Sequence, residues 1–452
     1  MYLLKRLPLT ALLLLLLGSS LAQAQSSFTL KEAVEYALQN NVKAKNAQLD
    51  ERIAKMKVRE ITTIGFPKIT ASYGVNNNYI IQRVIIPDGS IFNPLLPPGE
   101  PADLEFQPQY GGNASVNLNQ LVFDGSYIVG LQAAKTYRDL AARSNEMTQV
   151  EVAENVKKAY YGVLVNMERK GLLDAALIRL DSSLLEMKGM YANGFIEKID
   201  VDRLQVQRNN LAVERDKINR FDEISLLLLK FQMGYPLEQD LVLKDKLREI
   251  AFDENILEQT GVNPMDRPEM RLLQTQKAAT KLELKNIQAG YLPSIGIQAS
   301  RGALAGANNF DQVLDPGGNW FAYGSIGIGV NWNIFDSFTK RYQAQQKRIE
   351  MEKVDNNIFD FNKAVMLQSS QASITLRNSY ETMKVQEQNL ELSTEVLRVS
   401  RIKYQQGVGS NLEVINAEAG YREAQANYYN AVYDLLIAKV ELEKAKGQLL
   451  LK

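Results

Sequence analysis

Histidine and cysteine are both absent from this 452-residue sequence. These two side chains supply many general bases, nucleophiles and transition-metal ligands of enzymes. The remaining acids are scattered along helical segments, and a hydrolase built on paired carboxylates is the weakest functional hypothesis. Gly327 and Gly329 lie within an alternating strand pattern and lack the third glycine of a nucleotide-binding loop. The residues therefore predict neither an enzyme nor a cofactor or metal site.

Two short segments combine glycines with acids. Glycine permits the left-handed backbone of a tight turn between helices, and an acid in the first turn of a helix interacts favourably with its dipole. Phe195 and Val408, beside these glycines, are apolar residues expected at an exposed turn, which indicates a docking surface. The candidate turn residues are Gly194, Phe195, Gly407, Val408 and Gly409, and the acids that follow them are Asp200, Asp202 and Glu413.

The two turns belong to an internal duplication. Tyr191 and Gly194 recur as Tyr404 and Gly407 at a constant offset, the Phe-Asp pair at 123–124 recurs at 335–336, and Pro67 recurs as Pro293. Each half reads as helix, strand, loop, strand, long helix, turn and long helix. The first half carries a longer loop at 80–109, which is rich in proline. Length alone would suggest two or three domains, but the duplication predicts one elongated body.

Four segments alternate apolar and polar residues with a period of two, which is typical of strands with one apolar face. In one of them Ile326, Ile328 and Val330 alternate with Gly327 and Gly329. An antiparallel sheet on a soluble core and a membrane barrel both fit this pattern. Because about eight strands are needed to close a barrel, four strands would require several protomers. The expected strands are 67–79, 111–123, 293–303 and 321–335.

The helical segments are far longer than the globular norm. Large apolar residues recur every seven positions from Leu376 to Tyr404 and from Val414 to Leu442, with alanines at the same interval from Ala417 to Ala445. This heptad pattern predicts coiled-coil packing, and about 65 helical residues would reach on the order of 100 Å. Such rods suit a conduit that crosses a periplasm.

The N-terminus reads as a secretory signal at 1–24, with a basic pair, a short leucine-rich run and a small-residue cleavage site. No later segment has the long uncharged apolar run of a transmembrane helix, so an integral membrane protein would have to use strands. Lys plus Arg equals Asp plus Glu at 52 each, so no net positive charge favours nucleic acid.

These features together resemble the TolC-type outer-membrane efflux family over about residues 27 to 450. The resemblance is carried by the entry helix from Phe28 to Asn41, the strand starts at Pro67 and Pro293, the Phe-Asp junctions and the two turns. It implies a mainly α fold with β: long antiparallel coiled-coil helices form a periplasmic tunnel, and four strands per protomer contribute to a shared twelve-stranded trimeric outer-membrane β-barrel.

The resemblance also implies partners and a gate at the tip of the tunnel. The expected partners are two further copies in a homotrimer, a periplasmic adaptor protein, an inner-membrane transporter of the RND or ABC type, and outer-membrane lipid. At the second turn the family carries a Tyr, an Arg and two Asp residues. They align with Tyr404, Gly409, Glu413 and Asn416, so the arginine is missing and one acid is an amide. Asp200 matches an acid of the first turn, and Asp202 is an addition.

The resemblance divides the mature chain, 25–452, into a first repeat at about 28–234, an equatorial linker at 235–262 and a second repeat at about 263–450. The linker, with the residues after Gly447, is expected to form a belt around the tunnel. The predicted function is a passive exit duct for a tripartite efflux or type I secretion system. The alternative is a periplasmic coiled-coil scaffold or adaptor without a pore, which would not need four alternating strands.

Overall fold

The computed structural model describes residues 26–250, 252–258, 261–315 and 317–450. The predicted signal segment, 1–24, lies outside the described residues. Within them the chain forms eight α-helices, α1 to α8 in chain order: Leu30–Asn40, Val42–Thr62, Gly125–Ala192, Lys198–Met233, Pro268–Ala289, Phe310–Leu314, Thr339–Gln405 and Asn411–Ala445. The eight described strands, β1 to β8, are Ser26–Phe28, Lys68–Asn77, Arg83–Ile86, Ala102–Glu105, Tyr110–Phe123, Leu241–Leu243, Ser294–Ala307 and Trp320–Asn331.

The chain divides into two compact units. The sheet unit contains 50–142 and 272–358, and the helical unit contains the described residues up to Leu49, Arg143–Arg271 and the described residues from Phe359 onward. Both halves of the sequence contribute to each unit, as the duplication predicts. Helices α3 and α7, which are 68 and 67 residues long, each supply residues to both units.

The sheet unit is built on four antiparallel strands in the order β2-β5-β7-β8. Their register places Ile69, Leu118, Ala299 and Ile326 side by side in one row across the sheet. The adjacent row, on the opposite face, contains Thr70, Asn117, Ser300 and Ser325. The sheet therefore has an apolar face and a polar face, as the period-two alternation predicts.

Hydroxyls pair across the polar face of the sheet. The Oγ atoms of Ser72 and Ser115 are 2.8 Å apart, as are those of Ser300 and Ser325. On the apolar face, by contrast, Ile326, Ile328 and Val330 leave 64 to 80% of their surfaces exposed. Large apolar side chains gain most when removed from water, so this face requires an apolar environment.

The proline-rich loop is more ordered than the sequence pattern predicts. Strands β3 and β4 pair within it as an antiparallel hairpin. The Arg83 guanidinium joins the two strands, with ion pairs of 2.6 Å to Asp103 and 3.0 Å to Glu105. Each strand has four residues and the segment between them contains five prolines, so no alternating pattern long enough to predict a strand is present.

The two Phe-Asp junctions begin the long helices in a similar way. The Asp124 carboxylate accepts a hydrogen bond from the Tyr127 amide at 2.7 Å, ahead of α3. At the second junction the Asp336 carboxylate accepts one from the Lys340 amide at 3.1 Å, ahead of α7. Aspartate suits both positions because its side chain satisfies an amide left free at a helix N-terminus.

The helical unit packs its long helices through small and branched apolar residues. Between α3 and α4 the core contains Leu180, Leu184 and Leu211, and between α7 and α8 it contains Leu376 and Leu435. The alanines predicted as a close-packing stripe on α8 are buried at four of their five positions: Ala424, Ala431, Ala438 and Ala445. Alanine in such a seam lets two helices approach closely.

The start of the described chain packs onto the linker. Strand β1 pairs in parallel with β6, with Ser26 opposite Leu241. The Tyr160 hydroxyl joins the two segments, because it lies 3.0 Å from the Phe28 carbonyl and 2.9 Å from the Asp245 carboxylate. These linker contacts lie within the helical unit, and the belt assignment remains a prediction.

None of the helices in the described part of the chain has both the length and the apolar composition needed to cross a bilayer. Over the same residues, no group of three or more acids is arranged as a metal site.

Candidate functional site at the two helix turns

Both turns end their first helix with the same backbone motif. Gly194 has φ +79° and Gly407 has φ +74°, in the left-handed region that favours glycine. The Phe195 amide donates to the Met190 carbonyl at 2.9 Å, and the Val408 amide donates to the Lys403 carbonyl at 3.0 Å. The Gly194 and Gly407 amides donate to the carbonyls of Tyr191 and Tyr404, three residues before them. Together these bonds form a Schellman motif at the end of each helix. The two halves of the internal duplication therefore form the same type of turn.

The apolar residues that follow the glycines do not pack against their helices. In a Schellman end this residue often contacts the last turn of the helix. Here Phe195 is 77% exposed and Val408 is 78% exposed. The tip surface, defined as these two side chains, presents apolar area to the surroundings from both turns.

Gly409 differs from the other two glycines. Its backbone is not in the left-handed region, so the turn does not need glycine at this position for a left-handed conformation. A Cβ at this position would lie 3.0 Å from the Lys403 Cβ and 3.2 Å from the Tyr404 amide nitrogen. Glycine avoids a tight contact here because the chain passes close to the end of α7.

The second helix of each turn begins with an acid in its first turn. Asp200 lies in the first turn of α4 and Glu413 in the first turn of α8. The Ser410 hydroxyl caps α8 by accepting the Glu413 amide at 3.2 Å. Both carboxylates occupy the position where a negative charge stabilises the helix N-terminus.

The two acids have different surroundings. Asp200 is half-buried, and its carboxylate accepts a hydrogen bond from the Asn411 side chain at 3.3 Å. Asn411 also contacts the Asp200 carbonyl, so it links the start of α8 to the start of α4. Glu413 is exposed, as are Asp202 and Asn416. Asp200 therefore joins the two turns, whereas the other three side chains face outward.

Tyr404 lines a cavity of about 310 Å³ between the two helix pairs. Burial raises the pKa of its hydroxyl, and the nearby charges of Asp200 and Glu186 raise it further. A phenol in these surroundings stays protonated at neutral pH.

The same cavity contains a charged cluster that the sequence pattern did not predict. Glu418 on α8 is only 3% exposed. Its carboxylate lies 2.6 Å from Arg401 on α7 and 3.9 Å from Arg179 on α3. Glu418 directly follows Ala417 of the alanine stripe, and a heptad count does not reveal an ion pair between different helices. The cluster, defined as Arg179, Arg401 and Glu418, joins the first hairpin to the second.

Residues 266–448 match the family described as Outer membrane efflux protein. The probable efflux pump outer membrane protein TtgC of Pseudomonas putida is 21% identical over 354 residues, which are 75% of this chain and 69% of that protein. The open-state MtrE outer membrane channel of Neisseria gonorrhoeae is 15% identical, with a TM-score of 0.70 over 95% of this chain and 93% of the other. VceC of Vibrio cholerae is 16% identical, with a TM-score of 0.68 over 92% of this chain and 96% of that chain.

The two-faced sheet and the paired long helices give this chain the fold of these solved outer-membrane channels. The stretch 266–448 matches the outer membrane efflux protein family, and the relatives and solved structures that this chain resembles are outer-membrane efflux proteins and channels. This family consists of channels and not of enzymes.

Proposed function

We propose that three copies of this chain form a passive exit duct of an efflux or type I secretion system. The carrying observation is the four-stranded sheet, in which β2 and β8 each pair on one side only among the described residues. An open sheet edge presents unpaired backbone groups, which are costly in hydrocarbon. Closure by neighbouring copies satisfies both edges, and three copies supply twelve strands.

The two faces of the sheet support this arrangement. Lipid would surround the apolar face and water would fill the interior along the polar face. Aromatic residues near the ends of the strands fit the two interfaces of a bilayer. They are Tyr73 and Trp320, which stack on the apolar face at one end, and Trp332, Phe335 and Phe338 at the other.

The tip surface supports docking of a periplasmic adaptor that links the duct to an inner-membrane pump. Phe195 and Val408 are exposed beside rigid Schellman turns, so an apolar partner would bury both at low conformational cost. TtgC is named an efflux pump protein, which supports a pump as the energy source.

Glu413 is the candidate selectivity residue. It is exposed in the first turn of α8, and in a trimer it would supply three carboxylates around the narrow end of the duct. A ring of negative charge concentrates cations and repels anions. The neutral Asn416 adds no charge, and Gly409 supplies no arginine to pair with the ring.

Planar-bilayer recording of the purified full chain tests the proposal. We expect stepwise conductance with cation preference, and we expect Glu413→Ala to lower the cation-to-anion permeability ratio severalfold. Glu423→Ala is the matched control, because Glu423 is another exposed acid of α8, three helical turns from the first. An unchanged ratio in Glu413→Ala would remove the selectivity role. A monomer that needs no detergent and gives no conductance would instead support the scaffold alternative.

A further inference from the structure

The sheet strands contain two charged residues. They are Lys68, the first residue of β2, and Arg301, in the middle of β7. Lys68 pairs with Asn119 and belongs to the polar face. Arg301 belongs to the apolar face, in a row with Ala71, Val116 and Gly324.

Small residues surround Arg301. Its cross-strand neighbours are Val116 and Gly324, and its neighbours on the same face of β7 are Ala299 and Ala303. The register thus sets Arg301 among small and aliphatic neighbours on the apolar face. A charged group in such surroundings is costly unless an opposite charge and hydrogen-bond acceptors accompany it.

Nothing in the sheet supplies that opposite charge. Among the described residues Arg301 is exposed, and no hydrogen bond or ion pair involves its side chain. The four strands carry no Asp or Glu, so a neighbouring copy that extends the sheet could not offer a carboxylate from its strands either. The counter-charge must come from outside the sheet.

The position of Arg301 along the sheet indicates its source. Its partner Gly324 lies four residues from Trp320, the first residue of β8, and eight residues from Trp332, which directly follows the strand. At about 3.3 Å per residue and a tilt of about 40°, these separations correspond to heights of about 10 Å and about 20 Å. Because β8 leads from its Asn331 end towards α7, the Trp320 end is the one remote from this strand-to-helix junction. Arg301 therefore lies within side-chain reach of the outer interface.

We infer that Arg301 binds a phosphate group on a lipid of the outer leaflet. This inference rests on the proposed function, which exposes the apolar face to lipid. A guanidinium donates two parallel hydrogen bonds to phosphate oxygens, and these bonds are strengthened where water is scarce. The apolar neighbours of Arg301 would contact the acyl chains, so the site recognises a phosphorylated amphiphile and not phosphate alone.

Native mass spectrometry of the purified full-length trimer, titrated with lipid A or dephosphorylated lipid A, tests the inference. We expect wild type to retain lipid A about tenfold more tightly than Arg301→Gln, from the loss of charge-assisted hydrogen bonds. Arg301→Lys should be intermediate, since it keeps the charge without the planar fork. Lys68→Gln, on the opposite face, is the matched control and should retain lipid A like wild type.

Three results would overturn the inference: equal retention by Arg301→Gln and wild type, equal retention of dephosphorylated lipid A, or displacement of lipid A by equimolar inorganic phosphate. Migration of each variant as a heat-modifiable trimer verifies its fold, and Arg301→Lys tests the site if Arg301→Gln does not assemble. Quenching of Trp332 fluorescence by brominated phospholipid, in a Trp320→Phe background, reports the lipid exposure of the apolar face. Absence of quenching would refute the proposed function, whereas quenching with equal lipid A retention would refute only the phosphate site.

Discussion

Neutralising Glu418 should loosen the helix pairs near the turns. The carboxylate is 3% exposed and lies 2.6 Å from Arg401, so Glu418→Gln keeps the shape of the side chain and removes its charge. Breaking a fully buried ion pair from one side costs about 3–5 kcal/mol. Arg401 and Arg179 are each 38% exposed, which allows partial rehydration and reduces the expected cost to about 1.4 kcal/mol.

Hydrogen–deuterium exchange measures the loss of local stability in the helices that carry the ion pair. For amides that exchange through local opening, about 1.4 kcal/mol corresponds to roughly tenfold faster exchange. We expect this increase on α7 and α8 around Arg401 and Glu418, and little change in the strands. The measurement uses the intact trimer in detergent, so no unfolding transition needs to be two-state.

Glu395→Gln is the matched control on α7. Glu395 pairs with Arg398 at 2.6 Å, but both side chains are more than half exposed. An exposed pair of this kind contributes about 0.5 kcal/mol or less, so exchange should rise by no more than about twofold. Exchange in Glu418→Gln within twofold of wild type, or an equal effect of the two substitutions, would refute the role assigned to the buried carboxylate.

Two further predictions concern the sheet and the helical unit. Gly302→Ala should strongly reduce the yield of heat-modifiable trimer on gels, because the new Cβ would lie 2.5 Å from the Ala114 carbonyl oxygen. In the control Gly327→Ala the new Cβ meets open space, so this variant should assemble. Equal yields of the two variants would contradict this packing. For Glu154, burial disfavours ionisation, but the ammonium groups of Lys444 and Lys158 outweigh it and lower the pKa from 4.5. The resulting stability is present above pH 4.5 and is lost as the pH falls through the lowered pKa, so the melting temperature should fall less steeply between about pH 5 and 3 in Glu154→Gln than in wild type. Glu151→Gln, which removes an exposed ion pair to Lys43, should keep the wild-type slope, and equal slopes in all three proteins would contradict the assignment.

Features with a strict period were predictable from the sequence. The alternation along β8 predicts its two faces, and the seven-residue interval from Ala417 to Ala445 predicts the buried seam of α8. Both succeed because a side chain's direction in a strand or helix follows from its position alone. The Schellman turns were predictable for a similar reason, since Gly194 and Gly407 recur at equivalent places.

Contacts between residues that are far apart in the sequence were not predictable. The contact of Glu418 with Arg179 requires the packing of α8 against α3, which no local interval specifies. The surroundings of Arg301 were not predictable either, because its neighbours on the apolar face are set by the register of four strands. The β3–β4 hairpin was missed since its strands are too short for a periodic signal.

The pairing of β1 with β6 has a consequence for the order in which the molecule is made. Ser26 lies opposite Leu241, and the Leu30 amide donates to the Asp245 carboxylate across 215 positions of sequence. Because the chain emerges from its amino end first, the earliest described segment has to wait for the middle of the protein before its backbone is paired. Until then the segment Ser26–Phe28 lacks its strand partner, so ordering of this segment is tied to synthesis of at least the first half of the chain.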